Sequence, residues 1–483
     1  MEKTDPKVSD SDDARSPSEN EKHVESGVPV DVIAVPDPDE GLSEEERKRI
    51  DRKLLWKLDI QLIPWLCLLY LISFLDRTNI GNAKIDGLQE DLDLTNNEYN
   101  DTLTIFFISY SLFEPLTQIL LKRFRPSIFL PTIMVLWGIC MTTMGLVHNF
   151  SGLMAARWFL GLTEAGLFPG VNYYLSCWYK RSEFGIRAAI FFSAAALAGS
   201  FGGLLAAAIV QMDGVGGKPG WAWIFILEGL ATIIVAGLSY FMASFMAAEH
   251  EEFKMQYFWA ATKDWKTWTG ALIYMGCDGA LYAFSLFLPT IIQQMGYKSI
   301  HAQLLSVPPY AVAAVVTITV GFVADRTGKR GYCNMVMSLF GIVGFAMLLG
   351  SGVPHVQYAG TFLGAMGIYP CIPNTITWTA NNVEGVYKRG IALGFVIGWG
   401  NLNGIMSSNV YRAEDKPRFK PGHAVVLVYE ALFLLGGSIL QHILLRRENA
   451  KRRAGERNVW IQGKNEEDID KLGDMRPDFI YTL

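Results

Sequence analysis

The sequence predicts an all-α integral membrane protein: twelve transmembrane helices in two six-helix halves. Three observations predict it. The 483 residues are 51% hydrophobic and only 18% charged, with a mean hydropathy of +0.22. That is too apolar for an aqueous enzyme and too long for one compact core. Apolar segments of spanning length, most of them about 17–25 residues, succeed one another along the chain. The lysines and arginines between them concentrate in alternate loops.

In chain order, Met1–Lys53 is polar and rich in Pro, Ser, Glu and Asp, which predicts a disordered cytoplasmic tail. Six spans follow within 54–246, at 58–84, 100–121, 127–147, 153–176, 186–210 and 222–246. A cytoplasmic link over 247–264 leads to six more within 265–446, at 267–292, 303–324, 333–352, 356–378, 389–411 and 422–445. Residues 447–483 form a cytoplasmic tail. The spans are rich in Gly, Ala and Leu and do not alternate, so helices rather than barrel strands are expected.

Basic clusters at Arg47–Arg49, Lys122-Arg123, Lys180-Arg181, Lys263 and Lys266, Arg326–Arg330, Lys388-Arg389 and Arg446–Arg453 fall on one side. Both termini are therefore expected in the cytoplasm. The eleventh loop, with Arg412, Lys416, Arg418 and Lys420, is the exception. Two glycosylation sequons, at Asn100 and Asn149, lie outside in this topology and close to the membrane, which makes the chain a candidate glycoprotein. A turn-forming basic loop follows the second span, and another, GFVADRTGKR, follows the eighth; their matching places indicate two related halves.

Composition also excludes. The net charge of −5 comes largely from the acidic first tail, so no nucleic-acid partner is expected. The six cysteines form no CxxC pair, so neither a disulfide framework nor a metal site is indicated. With no nucleophile–base pair, metal cluster or phosphate loop, the chain is not expected to be an enzyme or to hold a cofactor.

Charges inside spans then carry the functional reading, because each costs about 2.5–3.5 kcal/mol at membrane depth. Arg157 and Glu164 lie in RWFLGLTEAGLFPG, seven residues apart and on one helical face. Asp76 and Arg77 lie in LDRTNIGNAK; Asp76 and Asn79 share a face, and Arg77 points about 100° away. One arrangement aims Asp76 at a proton path and Arg77 at an anionic substrate; the other has the pair cap the outer end of the helix. Asp278, between Gly276 and Gly279, suits a cation, a substrate amine or a buried hydrogen bond. Asn401 and Asn403 line a cavity or pack against neighbours, and Tyr110, Tyr173, Tyr282 and Trp378 stack on a planar ligand or pack helices. Glu114 and Glu228 read as structural acids. Gly166 and Gly170 around Pro169, and the proline pairs Pro308-Pro309 and Pro370…Pro373, mark bends.

The loop Gly321–Arg330, with Asp325, Arg326, Gly328, Lys329 and Arg330, resembles the signature loop of the major facilitator superfamily, a cytoplasmic gate latch in that family. A plain solvated basic loop is the alternative. The first-half copy, LLKRFRPS, lacks the Asp and the Gly pair. Together, LDRTNIGNAK, RWFLGLTEAGLFPG and GFVADRTGKR resemble the anion:cation symporter group, and more closely fungal permeases for allantoate, nicotinate and pantothenate. YAFSLFLPTII, GWGNLNGIMSSNVYR and the tail RRAGERNVW…RPDFIYTL extend the likeness from about residue 50 to the end. The central link is shorter than is usual in that group.

The resemblance implies that Asp76 and Glu164 couple protons and that Arg77 and Arg157 handle anionic substrate or salt bridges. Asn79, Asp278, Asn401 and Asn403 complete the expected substrate set. The expected function is proton-coupled import of a small organic anion across the plasma membrane by a monomer, with the proton, the anion and the lipid bilayer as partners. An exporter of a pathway metabolite and a non-transporting nutrient sensor remain alternatives.

Overall fold

A computed structural model describes residues 43–124, 126–180, 183–242, 255–465, 469 and 472–483. Its described residues are helices, turns and loops, with no strand among them. The chain divides into Met1–Trp56 and Lys57–Leu483.

Of the first unit, Ser43–Trp56 is described, and it is helical from Glu44. Residues 44–53 of the expected tail are thus helical. Ser43 and Glu46 exchange hydrogen bonds of 2.9–3.3 Å at the helix start, and three glutamates occupy the first turn. Acids there complement the helix dipole, which suffices to begin a helix in a stretch that is polar throughout. The rest of the expected tail lies outside the described residues.

The second unit contains the bundle. Helix α1 (Glu44–Ala83) enters it, and every residue from Ile72 to Ala83 is buried. It is followed by α2 (Asn96–Arg123), α3 (Pro126–Met144), α4 (Phe150–Glu164), α5 (Leu167–Trp178), α6 (Phe184–Ile209) and α7 (Gly220–Met242). The short α8 (Met255–Thr262) falls in the expected link, of which 247–254 lie outside the described residues. Then come α9 (Trp265–Gln294), α10 (Ser299–Thr327), α11 (Arg330–Gly350), α12 (Pro354–Ile368) and α13 (Cys371–Asn381). Helices α14 (Val386–Asn401), α15 (Asn403–Asn409), α16 (Lys420–Tyr429) and α17 (Gly437–Arg453) complete the bundle.

Among the described residues, seven helices are long and apolar enough to cross a membrane. Other predicted spans are divided. The fourth becomes α4 and α5, with Ala165 and Gly166 between them. The tenth becomes α12 and α13, parted at Tyr369-Pro370, and the eleventh becomes α14 and α15, parted at Leu402. Breaks at membrane depth are tolerated where the freed backbone is buried in protein.

Of these seven, α9 is the most enclosed, with 89% of its apolar window buried; α1 is enclosed likewise along its second half. Peripheral helices instead expose large apolar side chains, among them Leu112, Ile234, Phe241, Val315, Phe322 and Leu432. Such a surface suits lipid and not water. Helix α6 packs along α10, and α2 along α14 and α15, giving two seams between the first and second sets of spans. Helices α11 and α12 cross so closely that a Cβ on Gly344 would strike the backbone of Gly360 and Gly364.

At the sequons, Asn100 is buried within α2, and Asn149 is exposed but spends its Oδ1 on Gly152 N, 2.8 Å away, capping α4.

Candidate functional site

The two enclosed helices bring the site together. Arg77 of α1 is 3% exposed and Glu164, the last residue of α4, is fully buried. Arg77 donates to Glu164 Oε1 from Nη2 at 2.8 Å and from Nε at 3.2 Å, and Ser73 Oγ donates to the same oxygen at 2.6 Å. Glu164 Oε2 has no hydrogen-bond partner among the described residues. The guanidinium is enclosed by rings, with centroids at 4.7 Å for Tyr110, 5.4 Å for Phe106 and 5.6 Å for Tyr282. Ion pair and cation–π contacts thus share one desolvated cation.

From Arg77 a chain of donors runs between the two sets of spans. Its Nη1 donates to Tyr282 OH at 2.6 Å, Tyr282 OH donates to Asn401 Oδ1 at 2.8 Å, and Asn401 Nδ2 donates to Glu114 Oε2 at 2.9 Å. Asn401 ends α14 at its break as Glu164 ends α4 at its own. Glu114 Oε1 and Asp278 Oδ2 are buried without partners beside this chain.

Arg157 is fully buried on the other side of Phe106, 4.7 Å from the ring centroid. Its Nε donates to the Thr102 carbonyl at 3.3 Å, while Nη1 and Nη2 have no hydrogen-bond partner among the described residues. The shared face of Arg157 and Glu164 therefore leads to two different neighbourhoods, and Glu164 is held by Arg77.

Asp76 turns away from this site. Its Oδ2 accepts from Trp137 Nε1 at 2.9 Å and Thr232 Oγ1 at 2.8 Å. Asn79, on the same face, donates to Glu228, and Asn82 donates to Asn79 at 2.8 Å. Asn403 donates back to the carbonyls of Trp399 and Gly400 within its own chain segment, both at 3.1 Å. Trp378 lies elsewhere, its indole on the Thr482 carbonyl. Tyr110 and Tyr282 do reach the site; nothing is described of the Tyr173 side chain.

The loop after α10 is built as a clasp. Gly328 ends α10 with φ +66°, a conformation that favours glycine. Asp325 pairs with Arg330 and accepts from the backbone N of Ile186, 2.5 Å away at the start of α6. Gly185 lies so close to both side chains that a Cβ there would strike them. Arg330 also reaches Asn374 at 3.2 Å. Arg326 and Lys329 are exposed. At the opposite end, Ser299 Oγ donates to the Ile85 carbonyl and Asn409 to Thr104 Oγ1. The two sets of spans are thus in contact at both ends.

Sequence reasoning missed Phe106 and Ser73 and set Glu114 aside. An acid before Pro115 within an apolar span was the available signal for Glu114. It also missed the last residues of the chain, which dock beside the clasp. Arg452 gathers the carbonyls of Asp474, Arg476 and Phe479 at 2.6–3.0 Å. Asp474 pairs with Lys266 at 2.5 Å and Lys388 at 2.8 Å. Thr482 lines a cavity of about 430 Å³ with Lys180, Asp325, Gly328, Arg330 and Asn381. Burial works to raise the Asp474 carboxyl, but the two ammonium groups outweigh it and hold it below its usual range.

A family model described as the Major Facilitator Superfamily matches residues 66–408. The high-affinity nicotinic acid transporter of Saccharomyces cerevisiae is 32% identical, over 96% of this chain and 90% of its own. The MFS-type transporter cnsO of Penicillium expansum is 34% identical, over 89% and 90% respectively. Among solved structures, the inward-facing, unoccupied form of a bacterial homolog of the human lysosomal transporter Spinster superposes with a TM-score of 0.60. At 15% identity, covering 79% of this chain and 93% of that one, it bears on fold alone.

Proposed function

We infer the function from one premise: the chain belongs to the major facilitator superfamily and is a multi-pass membrane transporter. We propose that it imports a small organic anion together with protons, and that the anion is a carboxylate of the nicotinate, allantoate or pantothenate kind.

The observation that carries the reading is the hold of Glu164 on Arg77 inside a cage of aromatic rings. A substrate carboxylate and Glu164 compete for the same guanidinium. Protonating Glu164 removes the internal competitor and leaves Arg77 to a substrate carboxylate, which a guanidinium grips through two parallel hydrogen bonds. The free nitrogens of Arg157, across Phe106, add positive field on the same side. The rings favour a planar carboxylate, and the relative named for nicotinic acid supports that choice.

The cycle follows from differential binding. Proton and anion enter from outside, where acidity favours the protonated Glu164. The charge-compensated site closes, and the Asp325 clasp on α6 parts to release the load inward. Asp76 takes part in coupling a second proton, Tyr282 and Asn401 carry the signal between the two halves, and Asp278 borders the pocket. The protein works as a monomer in the plasma membrane with both termini in the cytoplasm, and performs no covalent chemistry.

Uptake of labelled nicotinate, allantoate and pantothenate by cells expressing the chain tests this, at acid and at neutral pH. Uptake of at least one, faster in acid, is expected; uptake of none overturns the reading. Glu164→Gln should abolish the pH dependence, and an unchanged pH profile would remove Glu164 from the coupling role.

A further inference from the structure

We propose that Asp76 and Glu228 form a second ion-coupling site, which holds one proton shared between the two carboxyls and lies apart from the Arg77–Glu164 pair. Asp76 lies on α1 and Glu228 on α7. Thr232, one turn along α7 from Glu228, has its hydroxyl 2.8 Å from Asp76 Oδ2 and 3.0 Å from the Glu228 backbone carbonyl, and donates to one of them at a time. Asn79, one turn beyond Asp76, donates to Glu228 Oε2. Each acid keeps one buried oxygen without a partner, Oδ1 of Asp76 and Oε1 of Glu228. Asn82 Oδ1, a further turn along α1, is buried and unpartnered as well.

The charged groups on the surrounding helices are committed elsewhere. Helix α3 contains no Asp, Glu, Lys or Arg, and α7 contains only Glu228. Arg77 of α1 is on Glu164 and Arg157 of α4 is on the Thr102 carbonyl. Arg187 of α6 is on Asp59, and Lys84 lies over Tyr99 and Phe287. Of the other titratable groups, Cys140 of α3 faces Thr163 and Tyr240 of α7 meets Thr132. Glu164 is the nearest further charge on Asp76, and it is an acid. Two ionised carboxylates in this setting have no counter-charge, which the membrane interior does not tolerate.

One proton resolves this and divides the roles. Asp76 already receives two donors on one oxygen, from Trp137 and Thr232, and is the better place for the charge. Glu228 receives one, from an amide, and is the better place for the proton. Helix α1 connects the two sites: one face holds Asp76 and Asn79 on α7, and the other holds Arg77 on Glu164. A proton gained or lost between Asp76 and Glu228 changes the grip of α1 on α7 and so the seating of Arg77.

For the transport cycle this rests on the proton-coupled reading, but the proton itself is present without substrate. The test therefore uses none. The full chain in lipid vesicles is titrated from about pH 5 to about pH 9, following the protonated-carboxyl stretch by infrared difference spectroscopy. Glu228→Gln should remove one titrating component, and Glu164→Gln should leave that component in place. Trp137→Phe, which withdraws a donor from Asp76, should move its midpoint up by about one pH unit. A Glu228→Gln spectrum equal to that of the unaltered chain overturns the proposal. So does a midpoint that shifts when sodium chloride replaces choline chloride, which would assign the site to sodium. If Glu228→Gln does not fold, an unmoved midpoint in Trp137→Phe overturns it alone. Failure of nicotinate uptake would leave this result standing.

Discussion

Two buried clusters of charge in this molecule are built on opposite terms. At the docked C-terminal residues the charges of Lys266, Lys388, Asp474 and Arg452 are answered, and Glu384 Oε2 is the oxygen beside them without a hydrogen-bond partner among the described residues. Lys266 and Lys388 each reach both Asp264 and Asp474, at 2.5–3.0 Å. Arg452 spends Nη1 on three carbonyls and Nη2 on Tyr481 OH. At the midplane the charges are answered in part. Arg77 is fully engaged, but Arg157 Nη1 and Nη2, Glu164 Oε2, Glu114 Oε1 and Asp278 Oδ2 are not. A satisfied polar network fixes one arrangement, whereas an incompletely satisfied one stays only where something else is to complete it. We propose that the first cluster is a fastening and the second a workplace.

The contrast is broken if substitutions at the two clusters fail alike. Arg452→Leu should have the largest effect, on stability. It strands two buried carbonyls and one part-buried one, at about 1–3 kcal/mol each for the buried pair, so a loss of about 3 kcal/mol is expected. Thermal unfolding in detergent reads it, while transport per folded molecule stays unchanged. Arg77→Lys should do the reverse. An ammonium cannot reproduce the two contacts to Glu164 together with that to Tyr282, so uptake should fall about 100-fold, equivalent to about 2.7 kcal/mol, with little change in the unfolding midpoint. Equal losses of stability in both variants would erase the distinction.

Arg157→Gln sharpens it. A buried charge with two unpaired nitrogens costs the fold more than it returns, so the neutral side chain should raise stability by about 1 kcal/mol. Uptake should nonetheless fall, by about 5–10-fold, a change of about 1 kcal/mol. A variant that gains stability and loses transport marks a residue kept for function. A variant that loses stability instead would make Arg157 a fastening like Arg452.

The midplane pair was legible because charges are expensive at that depth: Arg77 and Glu164 stand out in apolar spans on that ground alone. Their neighbours were not. Asn401 and Asn403 are two residues apart, about 200° around a helix, so one crosses to Glu114 and the other bonds back to its own carbonyls, and the sequence does not say which. Asp76 and Arg77 adjoin in sequence, yet helical geometry sends them to different helices. The divisions between helices at Ala165-Gly166 and Tyr369-Pro370 fall where glycines and prolines stand in the sequence. The C-terminal docking was hidden, since RPDFIYTL reads as an ordinary polar tail until Arg452 and Lys266 come within reach from distant helices.

The smallest effect expected is an absence, and it separates the clusters by pH. Asp474 has its carboxyl held below the usual 3.8 by Lys266 and Lys388, against the opposing effect of burial. A group lowered in the folded state lends stability that is complete above its unfolded value and fades as pH falls through the folded one. Acidification to about pH 5 therefore leaves this fastening intact, although it is the range in which the midplane acids are proposed to take up protons. A cysteine placed at Leu483 in a cysteine-free chain should label with maleimide at the same rate at about pH 5 and about pH 7, with the reagent's own pH dependence corrected on a free thiol. Labelling that accelerates in acid would mean that the tail undocks with the same protons that drive the midplane, and the two clusters would then be parts of one switch.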